Sequence, residues 1–368
     1  MTSIQAAVLR EPGRPLRIER LEMEDPRPDE VLVRLVASGI CHTDIDFCES
    51  GAGGAVVLGH EGSGVIERTG RAVRGLKPGD HVVLSFQSCG ACRACRKGRP
   101  ADCERFYEAN FGFARLDGTN AFVGSDVRGH FFGQSSFATY ALATARNAVR
   151  VPKRFPLELV APLGCGLQTG AGTVMNSLAV KAGASIAILG AGSVGLAAVM
   201  AACIVRAQTI VAVDIKANRL KLALQLGATH AINSRRCDVD RSLAGVAGDG
   251  LDHVIDTVGD EDLQQVAVER LKPDGAIALL TGGGGPSKLP GRRRVVNVIQ
   301  GDAVPQHFIP KLIRLYSKGL FPFDRLVRFY EFAEINRAIE DSQRGNTIKP
   351  VLRIWAGPAK TTRAPSDR

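Results

Sequence analysis

The sequence predicts an α/β protein in which a β-rich, partly open barrel with inserted lobes precedes a doubly wound parallel sheet. The first 150 of its 368 residues read as short strands separated by Gly and Pro-Gly turns. From Ser185 onward, apolar strands alternate with helical stretches, which is typical of a parallel sheet. The length suffices for two domains and a large core.

In the first part, Glu30–Ala37 and the stretch Gly64–Arg68 alternate apolar and polar residues, as half-buried strands do. The turn Lys77-Pro78-Gly79-Asp80 separates such segments. A cluster of cysteines further along interrupts this pattern and predicts an inserted lobe.

The second part supplies the parallel sheet and a final return of the chain. Strands are predicted at Ile186–Leu189, Ile210–Val213, Leu251–Asp256 and Ala276–Leu280, with a helix that starts at Asn218 and ends at Gly227. Two more helices are predicted at Phe308–Lys318 and Glu331–Gln343. We expect the last strand, Lys349–Ile354, to rejoin the first domain.

The composition is that of an ordinary soluble globular protein. Hydrophobic residues make up 45% of the chain and charged residues 23%, both ordinary values. The net charge of +10 fits attraction of an anionic cofactor, whereas 5% aromatic residues offer few platforms for base stacking, so we expect no nucleic-acid partner. No apolar run suits a membrane span, and the N-terminus lacks a signal-peptide pattern. Nine cysteines fit a reducing compartment, so we expect the cytoplasm.

Four cysteines within fifteen residues predict a structural zinc site. Their gaps of two, two and seven residues let four sulfurs converge on one ion. The alternatives are paired disulfides or accidental clustering. A site with four thiolates has no open coordination position, so it stabilises a lobe and performs no chemistry. The four are Cys89, Cys92, Cys95 and Cys103.

The run Gly190-Ala-Gly192-Ser-Val194-Gly195 follows a strand and opens a helix, which predicts a dinucleotide site. The helix N-terminus would face the pyrophosphate. Asp214 ends the next strand, where a carboxylate accepts hydrogen bonds from ribose hydroxyls and repels a 2′-phosphate, so we predict NAD rather than NADP. Arg219 lies five residues further on and is placed to reach the same ribose. The alternative is a glycine-rich turn with an incidental aspartate.

A second metal site is suggested by Gly59-His60-Glu61-Gly62, an unusual pair of polar residues between glycines. Two cysteines and one histidine form a known catalytic zinc set with one open position, and Cys41, His60 and Cys165 offer it. Their spacing is too loose to identify a site. On spacing alone, the favoured interpretation is that His60 is a turn histidine and Cys165 a buried small hydrophobic residue.

Taken together, these motifs resemble the zinc-dependent medium-chain alcohol dehydrogenases over nearly the whole chain. Within that family, three segments are similar to the aryl-alcohol (benzyl-alcohol) dehydrogenases: Phe131–Tyr140, Phe321–Val327 and Ile348–Leu352. The family motifs, in the family's order, are Gly39-Ile40-Cys41-His42-Thr43-Asp44, Gly59-His60-Glu61-Gly62, the four-cysteine lobe, Gly164-Cys165-Gly166 and the glycine loop.

The resemblance implies a fold and a set of residue roles. It implies a GroES-like β-rich catalytic domain at 1–165 and 300–368, with a zinc lobe at about 86–106, and a Rossmann domain that binds NAD at 166–299. Catalytic zinc would be bound by Cys41, His60 and Cys165, with Glu61 behind the metal. Thr43 would hydrogen-bond the alcohol and pass on its proton. The implied cofactor contacts are His42 and Lys349 to the pyrophosphate and Thr169 to the nicotinamide side.

One position departs from the best-known members of the family. Their proton relay ends in a histidine five residues after the first zinc cysteine, and here that residue is Asp46. Either Asp46 accepts the proton or water takes it directly.

The predicted reaction is reversible hydride transfer from a primary aryl or allylic alcohol to NAD, with two zinc ions per subunit. The alternatives on the same fold are a thiol-adduct formaldehyde dehydrogenase and an aldehyde reductase. The alternative from another class is a zinc-ribbon nucleic-acid-binding protein. The length of the insert between Cys103 and Phe131 favours a homodimer, with a tetramer as the other possibility.

Overall fold

The computed structural model describes residues 1–281 and 284–354. Its strands, in chain order, are β1 Thr2–Leu9, β2 Arg17–Met23, β3 Glu30–Gly39, β4 Val56–Val57, β5 Glu61–Thr69, β6 His81–Leu84, β7 Phe122–Val123, β8 Tyr140–Thr144, β9 Ala148–Arg150, β10 Ser185–Leu189, β11 Thr209–Asp214, β12 His230–Asn233, β13 Leu251–Asp256, β14 Leu271–Leu279, β15 Arg294–Asn297, β16 Val327–Glu331 and β17 Lys349–Arg353.

The α-helices are α1 His42–Ser50, α2 Arg93–Arg96, α3 Phe106–Phe111, α4 Leu157–Val160, α5 Gly166–Gly172, α6 Ser193–Ile204, α7 Ala217–Gln225, α8 Val239–Ala247, α9 Glu261–Glu269, α10 Pro305–Ser317 and α11 Ile335–Gln343. Within the part of the chain that the structure describes, none of the helices is both long and apolar enough to cross a membrane.

The β-rich part forms two sheets. One has the order β4-β1-β2-β7, and the other has the order β16-β17-β3-β5-β6-β9, with β8 also paired to β3. The terminal strand β17 pairs antiparallel with β3, at Val351 opposite Gly39, which confirms that the chain returns to the first part. Burial hardly alternates along β3, because both faces of this strand are largely buried.

The second part forms a parallel sheet with the order β12-β11-β10-β13-β14-β15. The order reverses beside β10, and the carboxyl end of that strand is where a dinucleotide binds in such sheets. The four predicted strands are all present, whereas the short strands β12, β15 and β16 were not anticipated. They are short and only partly buried, so they lack the continuous apolar run by which the buried strands are recognised.

Two predicted helix starts are wrong, and the first is that of α10, which begins at Pro305 rather than at Phe308. The helix expected from Glu331 begins at Ile335, because Glu331 ends β16 and Phe332–Glu334 forms a 3-10 turn. The Glu331 amide donates to the Glu334 carboxylate at 3.1 Å, so a charged pattern that looked helical caps the turn instead.

Close packing of α5 on α6 brings the two parts together at the predicted site. A Cβ placed on Gly170 of α5 would lie 2.0 Å from the Val194 carbonyl of α6, so only glycine allows this approach. Leu167, Ala197 and Ile188 belong to one buried cluster that joins both helices to β10. Cys165, directly before α5, is therefore held close to the glycine loop.

Candidate active site and metal centres

The structure brings the predicted catalytic zinc ligands together. Cys41 precedes α1, His60 precedes β5 and Cys165 precedes α5. Their ligand atoms and a carboxylate oxygen of Glu61 all lie within 4.8 Å of one another, and His60, Glu61 and Cys165 are buried. Three chain segments that are remote in sequence thus converge on two sulfurs and one imidazole.

The imidazole of His60 is oriented for metal binding. Its Nδ1 lies 2.9 Å from Asp44 Oδ1, and its buried Nε2 has no hydrogen-bond partner among the described residues. A carboxylate behind a ligating histidine fixes the ring and its tautomer. The same Asp44 also accepts from the backbone amides of Cys41 at 2.9 Å and Gly59 at 3.0 Å. The free Nε2 and the soft sulfurs fit a zinc ion.

Sequence reasoning missed the role of Asp44. The available signal was an acidic residue three positions after Cys41, at the third position of a helix, where a side chain reaches back to the residue before the helix. The structure shows that this carboxylate joins two of the three ligand segments, which the capping pattern alone does not reveal.

The charges of the site favour a thiolate at Cys41 but a protonated imidazole at His60. A hydrogen bond from the Cys165 thiol holds the pKa of Cys41 well below its usual value, although burial opposes this effect. Burial alone would lower the pKa of His60, but the charges of Asp44 and Cys41 outweigh it and raise the pKa to about 10. Metal and proton therefore compete for His60.

Glu61 and Lys349 form a buried ion pair beside the ligands. Lys349 Nζ lies 2.9 and 3.0 Å from the two Glu61 oxygens and also donates to the Ile40 carbonyl. Glu61 further accepts from the Gly166 amide at 3.1 Å. Burial raises the pKa of Glu61, while Lys349 opposes this rise.

The side chain of Lys349 is buried in the contact with Glu61. It is 1% exposed, and its ammonium is directed at the Glu61 carboxylate. An ammonium buried without a counterion is costly, so the ion pair with Glu61 holds it inside. Contact with a pyrophosphate stays a prediction that requires this ammonium to turn away from Glu61.

The residues expected along the proton path lie around the start of α1. Thr43 is half-buried, with its hydroxyl 4.0 Å from Cys41 Sγ. His42 is exposed, with Nε2 3.5 Å from Asp46 Oδ1. Burial raises the pKa of Asp46, partly offset by His42. Asp46, which stands where the family has a histidine, is exposed beside His42.

The glycine loop has the shape that a dinucleotide needs. Gly190 has a φ of +95°, and a Cβ on Gly195 would lie 1.8 Å from the Gly190 carbonyl. A Cβ on Gly192 would meet no atom within 4 Å, so this backbone faces open space where a phosphate can approach. Val194 follows on α6, half-buried. Gly166, next to Cys165, lies near Ser193 at the start of the same helix.

Asp214 and Arg219 lie at the predicted adenosine end. Asp214 accepts from the Ala191 amide at 2.7 Å and the Lys216 amide at 2.8 Å, so it is fixed beside the glycine loop. Nε of Arg219 has no hydrogen-bond partner within the described ranges. Thr169 lies on α5, and its hydroxyl donates to the Cys165 carbonyl at 2.9 Å.

The four-cysteine lobe is also assembled. Its four sulfurs lie within 4.8 Å of one another, and none of the nine cysteines is in a disulfide. Backbone amides donate to the sulfurs of Cys89, Cys92 and Cys103 at 3.3 to 3.4 Å. Backbone amides lower the pKa of Cys92 to about 6, which favours the thiolate that zinc binds. These donors fit a second zinc ion.

Comparison with known proteins identifies the family. The family model described as alcohol dehydrogenase GroES-like domain matches residues 27–153, and the one described as zinc-binding dehydrogenase matches residues 193–315. The chain is 43% identical to a geraniol dehydrogenase from Castellaniella defragrans over 95% of this chain and 97% of the relative.

Two solved structures agree with this match. The crystal structure of benzyl alcohol dehydrogenase from Acinetobacter calcoaceticus has a TM-score of 0.93 and 43% identity, and covers 96% of this chain and 100% of the other. An alcohol dehydrogenase zinc-binding domain protein from Burkholderia ambifaria has a TM-score of 0.92 and 47% identity, with coverage of 96% and 99%. The predicted GroES-like and Rossmann parts are confirmed. The chain belongs to the zinc-dependent medium-chain alcohol dehydrogenases, and it is an oxidoreductase that oxidises alcohols with a nicotinamide cofactor.

Proposed function

We propose that the protein oxidises primary aryl or allylic alcohols reversibly to aldehydes, with NAD as hydride acceptor and two zinc ions per subunit. The observation that carries the substrate class is an aromatic cluster that begins on the ring of His60. Phe132 stacks on that ring with centroids 4.3 Å apart, and Phe111 meets Phe132 at 5.0 Å. Two of the relatives above are named for geraniol and benzyl alcohol, which are allylic and aryl alcohols.

The aromatic cluster extends from the metal ligands to the surface. Phe47 and Phe111 are half-buried, and Tyr107, 70% exposed, stacks on Phe111 at 6.0 Å. Ring faces and edges favour contact with another π system, in addition to the burial of apolar area. A flat aryl or allylic group would lie along this wall while its hydroxyl reaches the metal.

Cys41, His60 and Cys165 would hold the catalytic zinc, a Lewis acid that lowers the pKa of an alcohol hydroxyl. Thr43 would accept the hydroxyl hydrogen bond and orient the alcohol, and Asp46 would receive the proton at the exposed end of the path. Asp44 fixes the imidazole, and Glu61 with Lys349 balances charge behind the ligands. These groups hold the reacting carbon toward the nicotinamide, and this positioning is a large part of catalysis.

Replacing Phe111 with alanine is expected to weaken binding of bulky alcohols. The loss of one ring from the wall should raise KM for benzyl alcohol and geraniol about 10-fold, because a buried aromatic contact contributes about 1.5 kcal/mol. KM for ethanol should stay within about twofold, since ethanol is too small to reach this ring. Steady-state kinetics of both alcohol classes measures the difference. Phe329→Ala, on β16 outside the cluster, is the control, and an equal effect on ethanol would contradict the proposed wall.

The preference for NAD rests on the carboxylate of Asp214. It is fixed at the end of β11 by two backbone amides, where it would accept hydrogen bonds from ribose hydroxyls. A 2′-phosphate would meet this negative charge. The cations Lys216 and Arg219 lie close to Asp214, and burial together with Arg219 lowers the pKa of Lys216.

Asp214→Asn is expected to shift the cofactor preference toward NADP. The amide keeps an acceptor for the Ala191 amide but removes the negative charge that would repel a 2′-phosphate. We expect the ratio of kcat/KM for NADP to that for NAD to rise about 10- to 100-fold, or 1.4 to 2.7 kcal/mol. Asp274→Asn, an exposed residue paired with Arg292, is the control. An unchanged ratio would contradict the role of Asp214.

Three further features belong to this proposal. We place the catalytic domain at 1–165 and 300–368 and the NAD domain at 166–299; the end of the former, 355–368, lies outside the described residues. We propose a cytoplasmic homodimer. The length of the insert between Cys103 and Phe131 favours the dimer.

Substrate profiling tests the proposed reaction. Purified protein should give kcat/KM values for benzyl, cinnamyl and geranyl alcohols at least about 10-fold above that for ethanol. A requirement for a thiol with formaldehyde would favour the thiol-adduct alternative, and turnover of aldehydes alone would favour a reductase. No activity with any of the aryl or allylic alcohols would refute the substrate class and leave the family assignment unchanged.

A further inference from the structure

We propose that Gln300 is a positioning residue for the catalytic metal centre: its side-chain amide donates to Cys165 and sets the direction and charge of that sulfur. This inference rests on the proposed zinc site at Cys41, His60 and Cys165. Gln300 Nε2 lies 3.4 Å from Cys165 Sγ, although the two residues are 135 positions apart. The amides that hold the sulfurs of the four-cysteine lobe lie at the same distance, 3.3 to 3.4 Å.

A buried hydrogen-bond chain fixes which end of the Gln300 amide faces the sulfur. Gln168 is fully buried, and its nitrogen lies 2.7 Å from the Gly164 carbonyl, which can only accept. That nitrogen also lies 2.7 Å from Ser85 Oγ and 3.1 Å from Gln300 Oε1. With the oxygen of Gln300 facing this donor, its nitrogen must face Cys165.

The backbone holds Gln300 in an unfavourable conformation. Gln300 and Asp302 have φ values of +52° and +47°, a region that residues with a Cβ rarely adopt. Such strain persists where the surroundings over-determine the conformation, often beside a functional site. Here the segment is pressed against α5, since a Cβ on Gly301 would lie 2.7 Å from the Gln168 carbonyl. The strained turn therefore delivers the Gln300 side chain to Cys165 with little freedom to move.

The hydrogen bond has two physical consequences for a ligand sulfur. It restricts rotation of the Cys165 side chain, because the donor approaches from one fixed direction. It also draws negative charge from the thiolate, which leaves a bound metal a stronger Lewis acid. Partners of this kind typically change metal affinity or activity about 10- to 100-fold.

Two variants separate the effect of the Gln300 side-chain amide from the effect of its strained backbone. Gln300→Leu keeps a bulky side chain and the strained backbone but removes the donor, whereas Gln300→Gly also relieves the strain. Gln306→Leu, on α10, is the matched control, because Gln306 also donates a side-chain hydrogen bond, to the Arg146 carbonyl. Each holoenzyme is tested by the rate at which a chelator removes the catalytic zinc, and by the sulfur-to-metal charge-transfer band after replacement of that zinc by Co²⁺.

We expect both Gln300 variants to release zinc at least about 10-fold faster than wild type and the Gln306 variant. Their charge-transfer band should move to longer wavelength, because a thiolate without the donor is more easily oxidised, and kcat should fall more than KM changes. Gln300→Gly should keep or raise the melting temperature and still shift the charge-transfer band. A residue with only a structural role would not produce both results. An unchanged band and release rate in whichever Gln300 variant folds would overturn the inference. Wild-type protein that holds no metal at this centre would instead overturn the proposed site itself.

Discussion

Replacing Cys165 with alanine is expected to reduce kcat for alcohol oxidation by at least about 10³-fold. The change removes one of three proposed ligands, and metal Lewis acidity contributes several kcal/mol to such a reaction, at about 1.4 kcal/mol for each factor of ten. Steady-state kinetics at 340 nm measures the loss. Metal analysis of the same protein should show about one zinc per chain instead of two, because the four-cysteine lobe keeps its ion.

The control for Cys165 is Cys237→Ala. Cys237 is exposed and lies outside both groups of ligand atoms, so its replacement should leave activity and zinc content unchanged. The melting temperature of Cys165→Ala should remain near that of wild type, since the site lies on elements already packed in the core. Full activity in the Cys165 variant would place the catalytic centre elsewhere.

Replacing Cys103 with serine is expected to give the opposite pattern, a large loss of stability in the zinc lobe. Zinc bound by such cysteine sets contributes about 10 to 16 kcal/mol to the folding of small isolated zinc domains, so loss of one thiolate should open the lobe. Cys103 is 5% exposed, and its sulfur accepts from the Cys89 amide at 3.3 Å. Limited proteolysis should cut within 86–106, and the thermal midpoint should fall by several degrees.

The comparison for Cys103 is Cys203→Ser, an exposed cysteine on α6 that should change neither readout. Zinc content should again fall to about one per chain, but the retained ion should be the catalytic one, shown by residual activity before the protein unfolds. Wild-type protease resistance together with two zinc ions in Cys103→Ser would refute a structural metal in this lobe.

Local patterns predicted the elements that lie close together in sequence. The glycine loop after β10 and the four-cysteine lobe each lie within a short segment, so spacing alone predicts their geometry, and the structure assembles both. The parallel sheet follows from alternation of apolar strands with helices. The strands β12, β15 and β16 were missed because they are only partly buried and have no continuous apolar run. The start of α11 was missed because an acidic cap has the same charge pattern as the first turn of a helix.

Contacts between remote segments could not be predicted from spacing. Cys41, His60 and Cys165 were connected only by family resemblance, because the fold, and not the chain, makes them neighbours. Asp44 carried a weak local signal, whereas Gln300 carried none, since a glutamine 135 residues from its partner looks like any surface residue. The buried contact between Lys349 and Glu61 likewise could not be predicted from the sequence, because it depends on β17 pairing with β3.

The most direct test of the account is NADH formation at 340 nm with benzyl alcohol and NAD, before zinc removal, after chelation and after zinc is restored. We expect turnover that disappears with the catalytic zinc and returns when about one equivalent per chain is added back, with much lower rates when NADP replaces NAD. Turnover that persists in protein shown to lack zinc at Cys41, His60 and Cys165 would contradict the proposed centre.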